Sequence, residues 1–247
     1  MIVAAQEPIS HFSAPGHSAR ELDRLSVEAR MYEPLTRQLF REAGLLSGMR
    51  VLDVGCGRGD VTLLAGELVG PMGAVVGIDR AAAAIVRAKA RAENQRMSNV
   101  QFVEGDPTLA RFDEAFDAIV GRLLLMYYPD PIHALRRLLA HPRPGGIVAF
   151  QEFDASGCKS HPASPTYERC ADWIIWTLRL SGADSHIGAE ALSHISKRRP
   201  VSADTTARWR YQWRAECAIR SVGGSSPELT ASNGEIRNCY RSRGQNR

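Results

Sequence analysis

Between Val51 and Asp60 the chain reads VLDVGCGRGD, in which Asp53 precedes three glycines at alternate positions, Gly55, Gly57 and Gly59. Glycine tolerates positive φ and carries no Cβ, so a turn of this kind lets a ligand lie directly on the backbone. A dinucleotide-binding loop would place its third glycine at position 60, where this chain has Asp60. A carboxylate there opposes a pyrophosphate, which speaks against that ligand. Asp79 lies 26 residues after Asp53, about one strand-helix-strand unit further on. At a strand end its carboxylate could accept hydrogen bonds from both ribose hydroxyls; NAD enzymes share this device, so it points to a nucleoside without naming it. A solvated strand-end aspartate is the plainer alternative. Glu104-Gly105-Asp106 puts another acid pair where a third strand should stop.

The elements that must position these residues follow from periodicity. MRVLDVG reads as a buried strand, DVTLLAGELV as a helix, GAVVGID as a strand and AAAAIVRAKARAENQ as a helix of strong helix formers. VQFVEGD is a third strand, FDAIVGRLLL a fourth running into a loop, and PIHALRRLLAH a helix after Pro131. IVAFQEF is a fifth strand, entered through the turn RPGG at 143–146. Alternating strands and helices imply an α/β fold, a doubly wound, mostly parallel sheet covered on both faces. Right-handed crossovers then bring all the carboxyl ends of the strands to one edge, where ligands bind. Ahead of the sheet, two helices are expected at about Ser18–Arg30 and Tyr32–Ala43, with Pro34 in the first turn of the second. They are read as packing elements, with a cofactor-covering lid as the alternative. A helix is also expected from Pro165 to Leu180, and its Trp173 and Trp176 are read as core or lid packing rather than substrate stacking.

The order of one acid and then alternate glycines resembles the first motif of the class I S-adenosylmethionine (SAM) dependent methyltransferases. Their cofactor has a cationic sulfonium and an amino-acid end but no phosphate, so a nearby carboxylate helps. The resemblance implies a Rossmann-like fold and SAM as cofactor. It gives Asp79 the ribose and Asp106 the adenine amino group. It carries the cofactor contacts to Asp53, Gly55, Cys56, Gly57, Gly59, Asp79, Arg80, Gly105, Asp106 and Arg122. The run Arg122-Leu123-Leu124-Leu125-Met126-Tyr127-Tyr128-Pro129-Asp130-Pro131 resembles the family's fourth motif, which borders the transferring methyl, and Arg143-Pro144-Gly145-Gly146 resembles the turn before its fifth strand. The branch it is most similar to acts on small molecules, like the ubiquinone and menaquinone methyltransferases. A small-molecule methyl acceptor is therefore implied, with its identity and reacting atom left open. A SAM-binding protein without activity and an NAD-dependent oxidoreductase are the rival readings.

Methyl transfer from a sulfonium is an in-line displacement with an activated leaving group, so positioning and exclusion of water are the protein's main tasks. A general base would help only for a hydroxyl or acidic carbon. His133, Tyr127, Tyr128 and Glu152 are the candidates, each with a structural role as the stronger reading.

With 44% hydrophobic and 23% charged residues the chain has the composition of a soluble globular protein. No apolar run reaches the roughly 18 residues needed to cross a bilayer and the first residues lack a signal pattern, so a cytoplasmic protein without a membrane partner is expected. Five cysteines, Cys56, Cys158, Cys170, Cys217 and Cys239, show no metal or disulfide spacing. The expected organisation is a helical cap at 1–48, a SAM-binding domain at 49–155, a helical lid or substrate segment at 156–190 and an atypical basic tail at 191–247. The residues after Ala191 carry a net charge of +7 and those up to it −3.

The family's sheet ends in an antiparallel hairpin formed by its sixth and seventh strands. Nothing after about Gly188 has the period-two pattern to make it, and the tail is expected to be missing these strands or disordered. One reading is a basic tail that binds nucleic acid. The preferred one is a reading-frame shift, because codon degeneracy allows Leu192–Pro200, read one base later, to encode YRIFLSGGL, an amphipathic helix end with a glycine stop. Such a chain would leave its fifth strand as an open edge, bind SAM weakly and have its activity reduced or absent. Sequencing the locus checks this: the shifted frame should continue as a patterned apolar sequence, and an early stop codon in it ends the idea.

Overall fold

The computed structural model describes residues 19–187. The expected tail at 191–247, its absent strands, Cys217 and Cys239 lie outside the described residues.

Five strands form one sheet: β1 (Arg50–Val54), β2 (Ala74–Asp79), β3 (Val100–Glu104), β4 (Phe116–Arg122) and β5 (Pro142–Gln151), in the order β3-β2-β1-β4-β5. All four pairings are parallel, with Asp53 opposite Gly77 and Val120, Asp79 opposite Glu104, and Arg122 opposite Gln151. Successive side chains point to opposite faces. Val51, Val75, Phe102, Ala118 and Val120 therefore meet α1 (Ala19–Ala43), α2 (Asp60–Val69) and α3 (Ala82–Asn94) on one side. Leu52, Val54, Ile78 and Ile119 meet α4 (Pro131–Leu138) and the 178–187 segment that closes α5 (Pro165–Leu180) on the other. The sheet is thus wound on both faces, a Rossmann-like α/β fold, and β5 is paired on one side only among the described residues.

The helices begin and end for local reasons. Gly59 at φ 82° precedes α2, Asp60 stands in its first turn where the helix dipole favours a negative charge, and Gly70 ends it. Asn99, arriving on the next crossover, donates through Nδ2 to the Gly66 and Gly70 carbonyls at 2.9 Å each, satisfying acceptors the helix end leaves open. Asp130 accepts from the His133 amide at 2.8 Å to start α4, and Ser164 accepts from Tyr167 at 3.4 Å to start α5, each followed by proline at the first helical position.

Three expectations change. The two N-terminal helices are one, running through Pro34. Proline removes one amide from the helix ladder, yet the helix is held beyond it by burial of Thr36, Leu39, Phe40 and Ala43 against the sheet layer. The RPGG turn is not a turn before β5 but a wide bulge inside it: Phe116 pairs with Pro142 and Ala118 with Ile147, so all of 143–146 faces Asp117. Asp117 fixes the bulge by accepting from Arg143 Nε at 2.6 Å through one oxygen and from the Arg50 amide at 2.7 Å through the other. Finally, of the core and lid readings given to Trp173 and Trp176, the core one is excluded: they are 66% and 63% exposed, and α5 has no buried residue.

Phe40 is fully buried in the α1–α2 layer. Phe40→Ala should cost about 3–5 kcal/mol in urea unfolding, whereas a helix merely lying on the domain would lose under about 1 kcal/mol.

Candidate functional site

The carboxyl ends of β1, β2, β3 and β4 converge on one edge, and the glycine loop crosses it. The loop's path is set by β2. The Ile78 carbonyl accepts from the Gly55 and Cys56 amides at 2.9 and 3.0 Å, and Asp79 Oδ2 accepts from the Gly57 amide at 2.8 Å. The Cys56 carbonyl then accepts from Gly59 at 2.8 Å, closing the turn into α2. All three glycines have positive φ. A Cβ at Gly59 would lie 2.9 Å from the Phe102 ring of β3, so this position needs glycine for packing as well as for conformation. At Gly57 a Cβ would meet nothing within 4 Å, so the backbone there faces open space. Cys56 joins the loop through its backbone and through its thiol, which donates to the Gly57 carbonyl at 3.8 Å; the side chain packs in the core, where burial pushes the thiol far above its usual range.

Asp53, the last but one residue of β1, is buried. Its Oδ2 accepts from Thr62 Oγ1 of α2 at 2.6 Å, and its Oδ1 is sequestered with no hydrogen-bond partner among the described residues. Burial pushes its pKa up to about 7, against the opposing pull of the Thr62 hydroxyl and the Arg122 charge. A buried carboxylate with one oxygen unanswered is costly unless a donor or cation reaches it. Thr62 is the residue that sequence reasoning overlooked, although a lone hydroxyl within DVTLLAGELV was a visible signal. Gly77 makes room for it, since a Cβ there would come within 2.6 Å of Thr62 Oγ1.

At the end of β2, Asp79 uses its second oxygen to accept from the Ala81 amide at 2.9 Å, so both oxygens orient backbone. The Gly105 amide donates to the Asp79 carbonyl at 2.8 Å and binds the two strand ends together. Asp106 follows, its Oδ1 accepting from the Thr108 amide and hydroxyl at 2.8 and 2.7 Å and its Oδ2 pairing with Arg80 at 2.8 Å. The Arg80 guanidinium also stands 5.2 Å from the centre of the Tyr128 ring. Gly55, Gly57, Asp79, Arg80, Gly105 and Asp106 are thus linked through adjoining strand ends.

Arg122 ends β4 on the other side of β1. It donates to Thr36 Oγ1 of α1 at 3.2 Å and lies 5.9 Å from the Tyr32 ring centre. The Thr36 hydroxyl in turn shares its one proton between the Tyr32 carbonyl at 2.9 Å and Gln151 Oε1 at 2.6 Å. This latch ties α1 to the ends of β4 and β5. Thr36 and Gln151 carried no sequence signal, because their meeting spans 115 residues. Beside it opens a cleft of 290 Å³ whose lining includes Arg122, Arg58 and Asp60. Asp60 answers Arg91 at 2.7 Å and Arg58 at 3.4 Å, so its charge is turned to protein cations.

The four candidate bases differ. His133 is exposed on α4, and Tyr127 is 48% exposed. Burial pushes the Tyr128 phenol up to about 12, which leaves it protonated at neutral pH. Glu152, just past β5, has its carboxyl pushed up to about 7 by burial, and its Oε1 accepts from the Leu124 and Leu125 amides at 3.1 and 2.9 Å. None of these contacts commits a group to proton transfer.

Known proteins resemble this chain in sequence and in fold. Residues 45–193 fit the family described as methyltransferase domain. Aklanonic acid methyltransferase of Streptomyces sp. (strain C5) is 35% identical over 134 residues, 54% of this chain and 60% of that protein. Demethylmenaquinone methyltransferase of Lactococcus lactis (strain IL1403) is 32% identical over 131 residues, 53% of this chain and 50% of that protein. The chain therefore matches only 50–60% of the length of these curated relatives. A SAM-dependent methyltransferase from Aquifex aeolicus shares the fold with a TM-score of 0.50 at 20% identity, covering 68% of this chain and 88% of that one. Since the family match extends over more than half of the residues, the chain belongs to the methyltransferase domain family, and its fold is the Rossmann-like one.

Proposed function

We propose that this chain binds SAM along the carboxyl edge of β1, β2 and β3 and directs its methyl group to a small-molecule acceptor. The observation that carries the reading is Asp53, a buried acid whose Oδ1 has no hydrogen-bond partner among the described residues. The α-ammonium of the cofactor is a cation that would answer it. Residues 49–155 would form the cofactor domain, with α1 closing it on the Arg122 side and the 156–190 segment serving as lid or substrate wall.

When bound, SAM supplies a methyl on a sulfonium, a leaving group already activated. The chain's own part is to hold and enclose. Asp79 would accept from the ribose hydroxyls with lone pairs its two amide contacts leave free, and Asp106 would accept from the adenine amino group. Gly57 offers backbone with no Cβ in the way. Arg80, Gly105 and Arg122 would complete the contacts, Arg80 by moving relative to Asp106. The names of the two curated relatives support a small, quinone-like acceptor, although only part of their length is matched.

Two measurements test the cofactor site. In calorimetry with S-adenosylhomocysteine (SAH), Asp79→Ala should weaken binding about 100-fold, the loss of two charge-assisted hydrogen bonds; unchanged binding sinks the assignment. The second is pH dependence. Asp53 must be ionised to hold an ammonium and, with a free-state pKa near 7, it is protonated below that value. SAH affinity should therefore rise by up to about tenfold per pH unit toward pH 7 and level off above it. Asp53→Asn should bind more weakly and flatten the profile. A flat wild-type profile between pH 5.5 and 8 contradicts the role given to Asp53.

A further inference from the structure

We infer that Glu152 is a positioning residue for the reaction proposed above: it holds the turn that leaves β4 so that Leu124 is seated against Gly55, the first glycine of the loop. The inference rests on reading that loop as the cofactor site.

The turn is one that needs holding. Leu123 has φ 53°, in the left-handed region that a branched side chain rarely enters. Its amide donates to the Gln151 carbonyl at 2.8 Å, which aligns the start of the turn with the end of β5. The next two amides, of Leu124 and Leu125, both donate to Glu152 Oε1, at 3.1 and 2.9 Å. One oxygen accepting two successive amides fixes the direction of the peptides between them, and so the direction in which the Leu124 side chain leaves the backbone. The 3-10 turn Leu125–Tyr127 follows at once, its last amide donating to the Leu124 carbonyl at 3.1 Å.

Leu124 is where this geometry meets the glycine loop. A Cβ on Gly55 would lie 2.5 Å from Leu124 Cδ1 and 3.3 Å from its Cγ, so the leucine fills the space that a side chain at position 55 would take. Gly55 is itself held by the Ile78 carbonyl. The loop and the turn after β4 therefore meet where Leu124 covers Gly55, and Glu152 governs one side of that contact. Its remaining oxygen, Oε2, is sequestered without a hydrogen-bond partner among the described residues. A carboxyl is costly to keep in such a place, and burial raises its pKa accordingly. Glutamate here has the reach to hold both amides, which no apolar residue could do.

The test is a set of SAH titrations on the full chain. Glu152→Gln keeps the reach and an acceptor oxygen and should bind within about threefold of wild type. Glu152→Asp is one methylene shorter, cannot hold both amides, and should bind about tenfold more weakly, with faster hydrogen exchange at the Leu124 and Leu125 amides. Leu124→Ala should also weaken binding. Because Glu152 acts through Leu124, the double variant Glu152→Asp/Leu124→Ala should be no weaker than the weaker single variant. Additive losses, a Glu152→Asp variant that binds like wild type, or a Glu152→Gln variant as weak as Glu152→Asp each overturn the inference while leaving the cofactor reading intact. A wild-type chain that binds no SAH overturns that reading and the inference with it. If Glu152→Asp does not fold, Leu124→Val and Leu124→Ala carry the test: losses graded with the volume removed are expected, and unchanged affinity overturns it.

Discussion

The Ile78 carbonyl receives two amides from the turn that leaves β1, and the carboxylate of the next residue receives a third. A parallel sheet leaves such groups at its carboxyl edge with no further strand to pair. Here they are used to bend the neighbouring strand's exit back over the edge. The bend needs glycine at three positions with positive φ, and it delivers α2 at the angle that brings Thr62 onto Asp53. The nearby strand ends then follow, with Gly105 bonded to the Asp79 carbonyl and Asp106 to Arg80. The site is therefore less a pocket carved in the protein than a set of strand ends that satisfy one another.

The five strands and α2 were readable because their causes are local. DVTLLAGELV is bracketed by Gly59 and Gly70, and its helix spans Asp60–Val69 as expected. Ser164 and Pro165 likewise announce the start of α5. What was misread depends on distant partners. By sequence Pro34 stands in the first turn of a second helix, but it lies inside one helix held by the burial of Phe40. Residues 143–146 have the composition of a turn, but Asp117 on the adjoining strand recruits Arg143 and draws the whole run into β5. The tryptophans of α5 have core-like chemistry, yet burial is set by what packs on a helix, which no window of sequence contains.

The candidate site divides in the same way. Its acids and glycines could be found by spacing, since each stands at the end of a periodic segment. The residues that orient them could not. Thr36 meets Gln151 across 115 positions and Leu124 meets Glu152 across 28, and both contacts exist only because β4 and β5 lie side by side. Position along the chain says little about such pairs, whereas strand order says a great deal.

That strand order also has a kinetic meaning. β1, β2 and β3 are consecutive in the chain and adjacent in the sheet, so the half of the edge that holds Gly55, Asp79 and Asp106 draws on one continuous stretch. β4 must return to the far side of β1, from 67 residues away for the pair Val51 and Ala118, before Arg122 and the Leu123 turn exist in place. Loop closure over such a distance is slower and entropically costlier than pairing neighbours. On a ribosome the three-strand half can assemble while the rest is still being made, and the last strands then complete an edge whose geometry is already set.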